Sequence, residues 1–250
     1  MKCLLYCLFQ KPKSGTVIMP PSILTQSINI IEIEGLCAVF SEVSDIEAAY
    51  EMSEIVNYHK VIEWFFGQAD VVPFRFGTVL EGLSDVERLL QKRAVHYKRM
   101  LEDLEDCCEV GIRAIIDEAD LPAAGCCAPG FFSLEAPNPG KLYLTSRRFH
   151  YLSETLRKEA CERAVEPYRT ALDGLFKKYR SEVSETVDSK DGRRLLMIST
   201  YFLVPRKLLP AFRERFPAAA RHGSLKALLS GPWPPYNFVL PDDSRAEPQI

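Results

Sequence analysis

Apolar residues alternate or run together over residues 2–9, 28–33 and 36–43, and each stretch reads as a β-strand bounded by polar or turn-forming residues. Glu34-Gly35 leaves room only for a tight connection between the second and third strands. Ser44-Asp45-Ile46-Glu47 has the form of a capping box, in which Ser and Glu side chains satisfy the free amides of a starting helix. Ile55, Tyr58, His59, Ile62 and Phe65-Phe66 then recur at helical spacing until Gly67 and Asp70 break the pattern ahead of a strand from Val71. A second capping box, Ser84-Asp85-Val86-Glu87, predicts a helix with Val86, Leu90, Tyr97, Leu101 and Leu104 on one face, and an acidic run over 102–106 closes this half.

From Cys107 the pattern changes. Residues 108–116 predict a strand, followed by a Pro/Gly/Ala-rich loop and a long helix marked by Phe149, Leu152, Leu156, Ala160, Ala164, Tyr168, Leu172, Leu175 and Tyr179. A short strand over 184–188, a turn at Ser189-Lys190-Asp191-Gly192 and a strong strand over 194–204 follow. Pro205 suits the first turn of a helix through Phe216, with Pro217 as its stop, and an extended segment begins over 224–229. The order is β-α-β-β-α-β, the ferredoxin-like split motif. The predicted fold class is therefore α+β in two domains: an N-terminal α+β domain, 1–106, and a ferredoxin-like domain, 107–250, with a Pro-rich C-terminal tail. The tail from Gly231 is a candidate to lie against the first domain.

Two apolar motifs stand out. In Val71-Val72-Pro73-Phe74-Arg75-Phe76-Gly77-Thr78, one Arg sits between two Phe at strand spacing, which turns it away from both rings. A cation in so apolar a strand needs a carboxylate, a carbonyl or water. Arg75 is thus either half of a buried ion pair or an anchor facing a partner from an aromatic patch. In Gly231-Pro232-Trp233-Pro234-Pro235-Tyr236-Asn237-Phe238-Val239, three prolines remove backbone donors, so the segment starts extended and becomes pairable only from Tyr236. Trp233 and Tyr236 either pack the tail over a domain surface or form a docking surface, for which stiffness lowers the ordering cost.

These motifs, with Tyr58-His59-Lys60-Val61, Glu109-Val110-Gly111-Ile112-Arg113 and Gly140-Lys141-Leu142-Tyr143-Leu144, resemble the GvpL/GvpF family of gas vesicle accessory proteins in the family's order. Residues 12–26 and 119–139 depart from it. The resemblance implies two α+β domains, the second a modified ferredoxin fold. It also implies a role beside a small, very apolar shell protein that exposes an aggregation-prone face before assembly. The partners it implies are that shell protein and other accessory proteins. The residues it singles out are Phe74, Arg75, Phe76, Trp233, Tyr236 and Phe238.

At 250 residues, 47% apolar and 26% charged, the chain has an ordinary globular composition. A net charge of -3 argues against a generic polyanion binder. Residues 1–106 hold 10 Lys and Arg against 16 Asp and Glu, and residues 107–250 hold 21 against 18, which permits attraction between halves or between copies. The apolar run at 3–9 ends at Gln10-Lys11-Pro12-Lys13 before any cleavage site, Tyr6 before Cys7 spoils a lipidation site, and no stretch approaches a membrane span. A cytoplasmic, gas vesicle-associated protein without a lipid membrane partner is expected.

Chemistry is sparse. The 8 Cys contain no C-x-x-C, and the pairs Cys107-Cys108 and Cys126-Cys127 are adjacent, so reduced structural thiols and no metal are expected. Of the 4 His, His59 lies in an apolar helical stripe and reads as a core or interface residue, while His96, His150 and His222 read as solvated. No Walker loop, G-x-G-x-x-G or H-E-x-x-H is present. A ferredoxin-like RNA-binding module is the alternative function, although residues 194–204 lack the glycine-aromatic signature for stacking bases. An enzyme using a ferredoxin-like pocket is the third class, and one hyper-reactive Cys would support it. The expectation is an assembly or structural accessory protein, not an enzyme, with no cofactor and no nucleic acid.

Overall fold

The computed structural model describes residues 1–12, 17–20, 27–44, 52–117, 147, 151, 155, 159, 162–163, 165–187, 194–222 and 227–239. The first capping box runs past residue 44, and the 119–139 loop, the Gly140-Lys141-Leu142-Tyr143-Leu144 stretch, the 189–192 turn, His150 and Cys126, Cys127 and Cys161 lie outside the described residues. The chain is α+β with two antiparallel sheets. It forms two compact units, one of Met1–Val110, Leu203–Arg206 and Gly231–Ile250, the other of Gly111–Phe202 and Lys207–Ser230. The boundary foreseen at 106/107 falls at a turn, with Asp106 at φ 52, whereas the compact units divide a few residues later, inside a strand.

In the first unit, β1 (Lys2–Gln10), β2 (Ile28–Ile33) and β3 (Leu36–Val43) are followed by helix α1 (Met52–Phe66), short strands β4 (Val71–Pro73) and β5 (Val79–Leu80), and helix α2 (Leu83–Leu104). The sheet runs β2-β3-β1-β4, with β5 also on β1. Ile33 faces Leu36 across the two-residue turn, where Glu34 at φ 52 and Gly35 at φ 79 supply the positive angles such hairpins need. One side of the sheet packs Leu5, Leu36, Ala38 and Phe40 against Val86, Leu90, Ala94, Tyr97, Leu101 and Leu104 of α2. That spacing is one helical face, and each large apolar side chain so buried contributes about 1.5–3 kcal/mol. α1 stacks Tyr58 on Tyr6 and Phe65 on Phe9.

Ser84 is not the cap of α2. The helix starts one residue earlier, the amides of Asp85 and Val86 donate to the Gly82 carbonyl, and Gly82 is its cap residue with no side-chain bond. The predicted strand through the Phe-Arg-Phe motif also ends early, at Pro73. Thr78 closes a turn by donating both its amide (3.1 Å) and its hydroxyl (2.7 Å) to the Arg75 carbonyl, with Gly77 at φ 84.

The second sheet has the order β7-β8-β6-β9, built from β6 (Cys107–Asp117), β7 (Lys178–Val187), β8 (Arg194–Pro205) and β9 (Ala227–Trp233). Helix α3 includes residues 165–171. It stops at a turn in which Leu175 donates to the Leu172 carbonyl and Gly174 takes φ 77, so Tyr179 belongs to β7 rather than to the helix. Tyr179, Phe176 and Phe212 gather their rings around Phe202 in the second unit's core. Pro205 ends β8 instead of opening a helix, a short turn over Arg206–Leu208 follows, and α4 (Leu209–His222) continues through Pro217. Pro217 removes one donor, and the run Ala218-Ala219-Ala220, with Ala219 fully buried, carries the helix on. β9 extends to Trp233, and Tyr236–Phe238 form a helical turn rather than a strand.

Candidate functional site

Both apolar motifs belong to the first unit, and α1 brings them together. Tyr58 and His59 are neighbours on that helix, Tyr58 fully inward and His59 half-buried. The Tyr58 hydroxyl lies 2.7 Å from the Leu5 carbonyl and 3.1 Å from those of Phe74 and Arg75. Its single proton serves the nearest, and burial pushes the phenol's pKa well up, so it remains a donor. The turn after β4 is tied to β1 through its backbone, the Phe74 amide donating to the Tyr6 carbonyl and the Leu5 amide to the Thr78 carbonyl, both at 2.9 Å. Phe76 places its ring edge on Tyr58 at 5.1 Å, and Phe74 packs against the α2 core and the edge of Tyr97.

Arg75 does not occupy a buried ion pair. Its carbonyl is held in the turn, its side chain is exposed, and no ion pair joins it among the described residues. A turn with Gly77 at its corner points the residue outward, where a strand would have buried it. Arg75→Ala is therefore expected to change unfolding free energy by less than about 0.5 kcal/mol, measured by urea denaturation. A loss of several kcal/mol would restore the buried-pair reading.

The C-terminal motif forms a strap. Gly231 enters at φ 105, through a cis bond to Pro232, with the Glu109 carbonyl 2.7 Å from where a Cβ would stand. Pro234 and Pro235 are buried, and the Tyr236 hydroxyl sits 2.9 Å from His59 Nδ1 with the two rings edge to face. Burial raises the Tyr236 pKa, leaving a neutral phenol able to donate to that nitrogen. Phe238 and Val239 pack on the α2 core. Trp233 is 41% exposed and Pro232 beside it is exposed too, in contrast to the buried Pro234 and Pro235.

Glu109, which the sequence reading quoted only within a longer motif, holds the strap. It is 3% exposed, its Oε2 accepts the Asn237 backbone amide at 2.8 Å, and its Oε1 accepts Asn237 Nδ2 at 2.7 Å. A lone carboxylate in the apolar run Cys107-Cys108-Glu109-Val110 was the signal available. Arg206 was also missed. Its guanidinium lies 4.0 Å over the Phe66 ring and donates from Nη2 to the Phe66 carbonyl, closing the end of α1.

Among the described residues no group of three or more His, Cys, Asp or Glu could hold a metal ion. Cys3, Cys7, Cys37, Cys107 and Cys108 are buried thiols outside any disulfide, and burial pushes the thiols of Cys3, Cys7 and Cys37 up. These five are expected to resist iodoacetamide in the native protein and to react only on unfolding. Fast native alkylation of any of them, read by peptide mass mapping, would contradict the burial argument.

The described residues thus define an α+β protein whose C-terminal aromatic strap is held by His59 of α1 and Glu109 of β6. The family model for gas vesicle synthesis protein GvpL/GvpF matches residues 2–240, and the chain belongs to that family. Its role is accordingly in gas vesicles. The fold is similar to that of the gas vesicle protein GvpF from Anabaena sp. PCC7120, with a TM-score of 0.65, 19% identity and 96% of each chain covered. It is equally similar to GvpF from Microcystis aeruginosa, with a TM-score of 0.66, 19% identity, 96% of this chain covered and 99% of that one. Comparison with curated proteins gives no significant match. No helix among the described residues is long and apolar enough to cross a membrane.

Proposed function

We propose that this protein is a cytoplasmic gas vesicle accessory protein that binds the small hydrophobic shell protein, alongside other accessory proteins, and helps to nucleate or build the vesicle wall without catalysis. Family membership supports the setting. The observation that carries the docking reading is the exposure of the Trp233 indole in a strap where Pro234 and Pro235 are buried and Tyr236 and Asn237 are hydrogen-bonded. Gly231 and the buried Pro234-Pro235 hold the indole outward, so little ordering cost remains when it enters an apolar pocket. Phe74, Phe76, Tyr236 and Phe238 act as packing, on Tyr97, Tyr58, His59 and the α2 core.

The second unit is proposed to be ferredoxin-like. Its elements follow β6-α3-β7-β8-α4-β9, and β6 and β8 lie at the centre of the sheet, as the split motif requires. RNA binding gains no support there, because Tyr201, on a central strand, donates its hydroxyl to Glu182 at 2.6 Å.

Trp233→Ala tests the docking reading. The variant is expected to keep its circular dichroism and melting temperature and to lose most capture of co-expressed shell protein, about tenfold or more for a hot-spot aromatic. Unfolding of the variant would make Trp233 a core residue. A folded wild-type protein with no affinity for shell or accessory proteins, and whose gene deletion leaves vesicles unchanged, would end the assembly reading.

A further inference from the structure

Sheet edges are places where another chain can pair, and folded proteins usually guard them with charge, proline or shortness. Of the four sheet edges among the described residues, three are guarded. β4 and β5 have 3 and 2 residues, and β4 ends on Pro73. β7 carries Lys178, Arg180 and Glu182, and β9 contains Pro232. The fourth edge, β2, is different. Its 6 residues read Ile-Asn-Ile-Ile-Glu-Ile, with no proline, no glycine and no lysine. Its pairing to β3 is regular from Ile28↔Ser41 to Ile33↔Leu36, and among the described residues no strand pairs with its outer side.

The one charge on β2 is also offset. Lys11 Nζ lies 2.6 Å from Glu32 Oε2, so Glu32 does not repel an approaching strand as an isolated carboxylate would. Ile31 and Ile33 pack against the α2 core, which anchors the strand and leaves Ile28 and Ile30 on the other face, half-exposed. An edge that is apolar, regular in its pairing and anchored by its own core is suited to main-chain pairing with alternate apolar side chains.

We infer that the outer edge of β2 accepts an extended apolar segment of the shell protein as an added strand, an inference that rests on the assembly reading above. The size of the edge selects the occupant. Six residues span about 20 Å, and one added strand alone falls well short of the roughly 1,200 Å² that a stable dimer of whole copies needs. A short β-forming segment of an aggregation-prone partner fits, and its edge would be covered while it waits for assembly.

Hydrogen–deuterium exchange on the full-length protein, alone and in complex with co-expressed shell protein, tests this directly. Amides of residues 28–33 are expected to slow by about tenfold or more in the complex. Ile30→Lys is expected to keep the fold and to reduce capture by about tenfold, since a charged edge is a poor template. Proline placed at 29 and at 30 in turn gives a second measure. Neighbouring amides alternate between facing β3 and facing out, so one substitution breaks an internal bond and the other blocks only the free edge. Capture of shell protein with unchanged exchange in β2 would overturn the inference and leave the assembly reading standing. Protection of β2 that rises with concentration in the absence of shell protein would make a second copy the occupant and overturn it too. A wild-type protein that captures no shell protein at all would overturn both.

Discussion

Gly231→Ala is expected to destabilise the protein by about 3 kcal/mol or more, at least a fifth of an ordinary domain's margin of about 5–15 kcal/mol. Two causes act together. At φ 105 any residue with a Cβ is strained, and the new Cβ would stand 2.7 Å from the Glu109 carbonyl oxygen, a main-chain atom in a strand that cannot step aside. Gly111 provides the comparison. A Cβ there would stand at a similar 2.8 Å, but from the Ser230 Oγ, which can rotate away, and Gly111 has no positive φ. Gly111→Ala is therefore expected to cost about 1 kcal/mol, in the range of mild overpacking. Urea titration of both variants measures the difference. Equal, small losses would mean that the strap enters the first unit with room to spare and that its position is not set by Gly231.

The elements of the first unit are legible in sequence because their periodicities are strong. Val86, Leu90, Tyr97, Leu101 and Leu104 can share a face only on a helix, and Glu34-Gly35 between two apolar runs can only be a tight turn. Trouble arises where two periods agree. Leu172, Leu175 and Tyr179 fit a helical stripe, yet Gly174 at φ 77 ends the helix between them and Tyr179 stacks on Phe202 from a strand. The Phe-Arg-Phe alternation fits a strand equally well, and the bond from the Thr78 hydroxyl that makes it a turn is a contact no spacing reveals. Capping boxes are similarly ambiguous. Ser84 and Glu87 stand three apart, but a helix already begun at Leu83 has no orphan amide for Ser84 to serve as its cap.

The candidate site was half legible. Its aromatic members were visible as motifs, and their convergence on Tyr58 and His59 was not, because His59 and Tyr236 are 177 residues apart in sequence. The polar residue that holds the assembly, Glu109, looked like an ordinary strand position. Only burial, which depends on the whole fold, separates a solvated glutamate from one that clamps a distant segment.

Glu109→Ala is expected to cost about 3 kcal/mol or more, because it removes the acceptor for two Asn237 donors at once in a place water scarcely reaches. Asn237→Ala deletes only the side-chain half of the clamp. The main-chain amide still reaches Oε2, so the loss should be nearer 1–2 kcal/mol. A double-mutant cycle isolates the pair, and the coupling should be about 1–2 kcal/mol because the two residues share one set of bonds. Shell-protein capture should then follow stability. Both single variants, folded at low temperature, are expected to lose capture to the degree that the strap detaches, since Trp233 would no longer be held outward at a fixed place. A Glu109→Ala protein that loses less than about 1 kcal/mol would show that proline stiffness and the packing of Phe238 and Val239 seat the strap without the carboxylate. A variant that is destabilised yet captures shell protein normally would separate the clamp from docking, and Trp233 would have to act from a mobile tail.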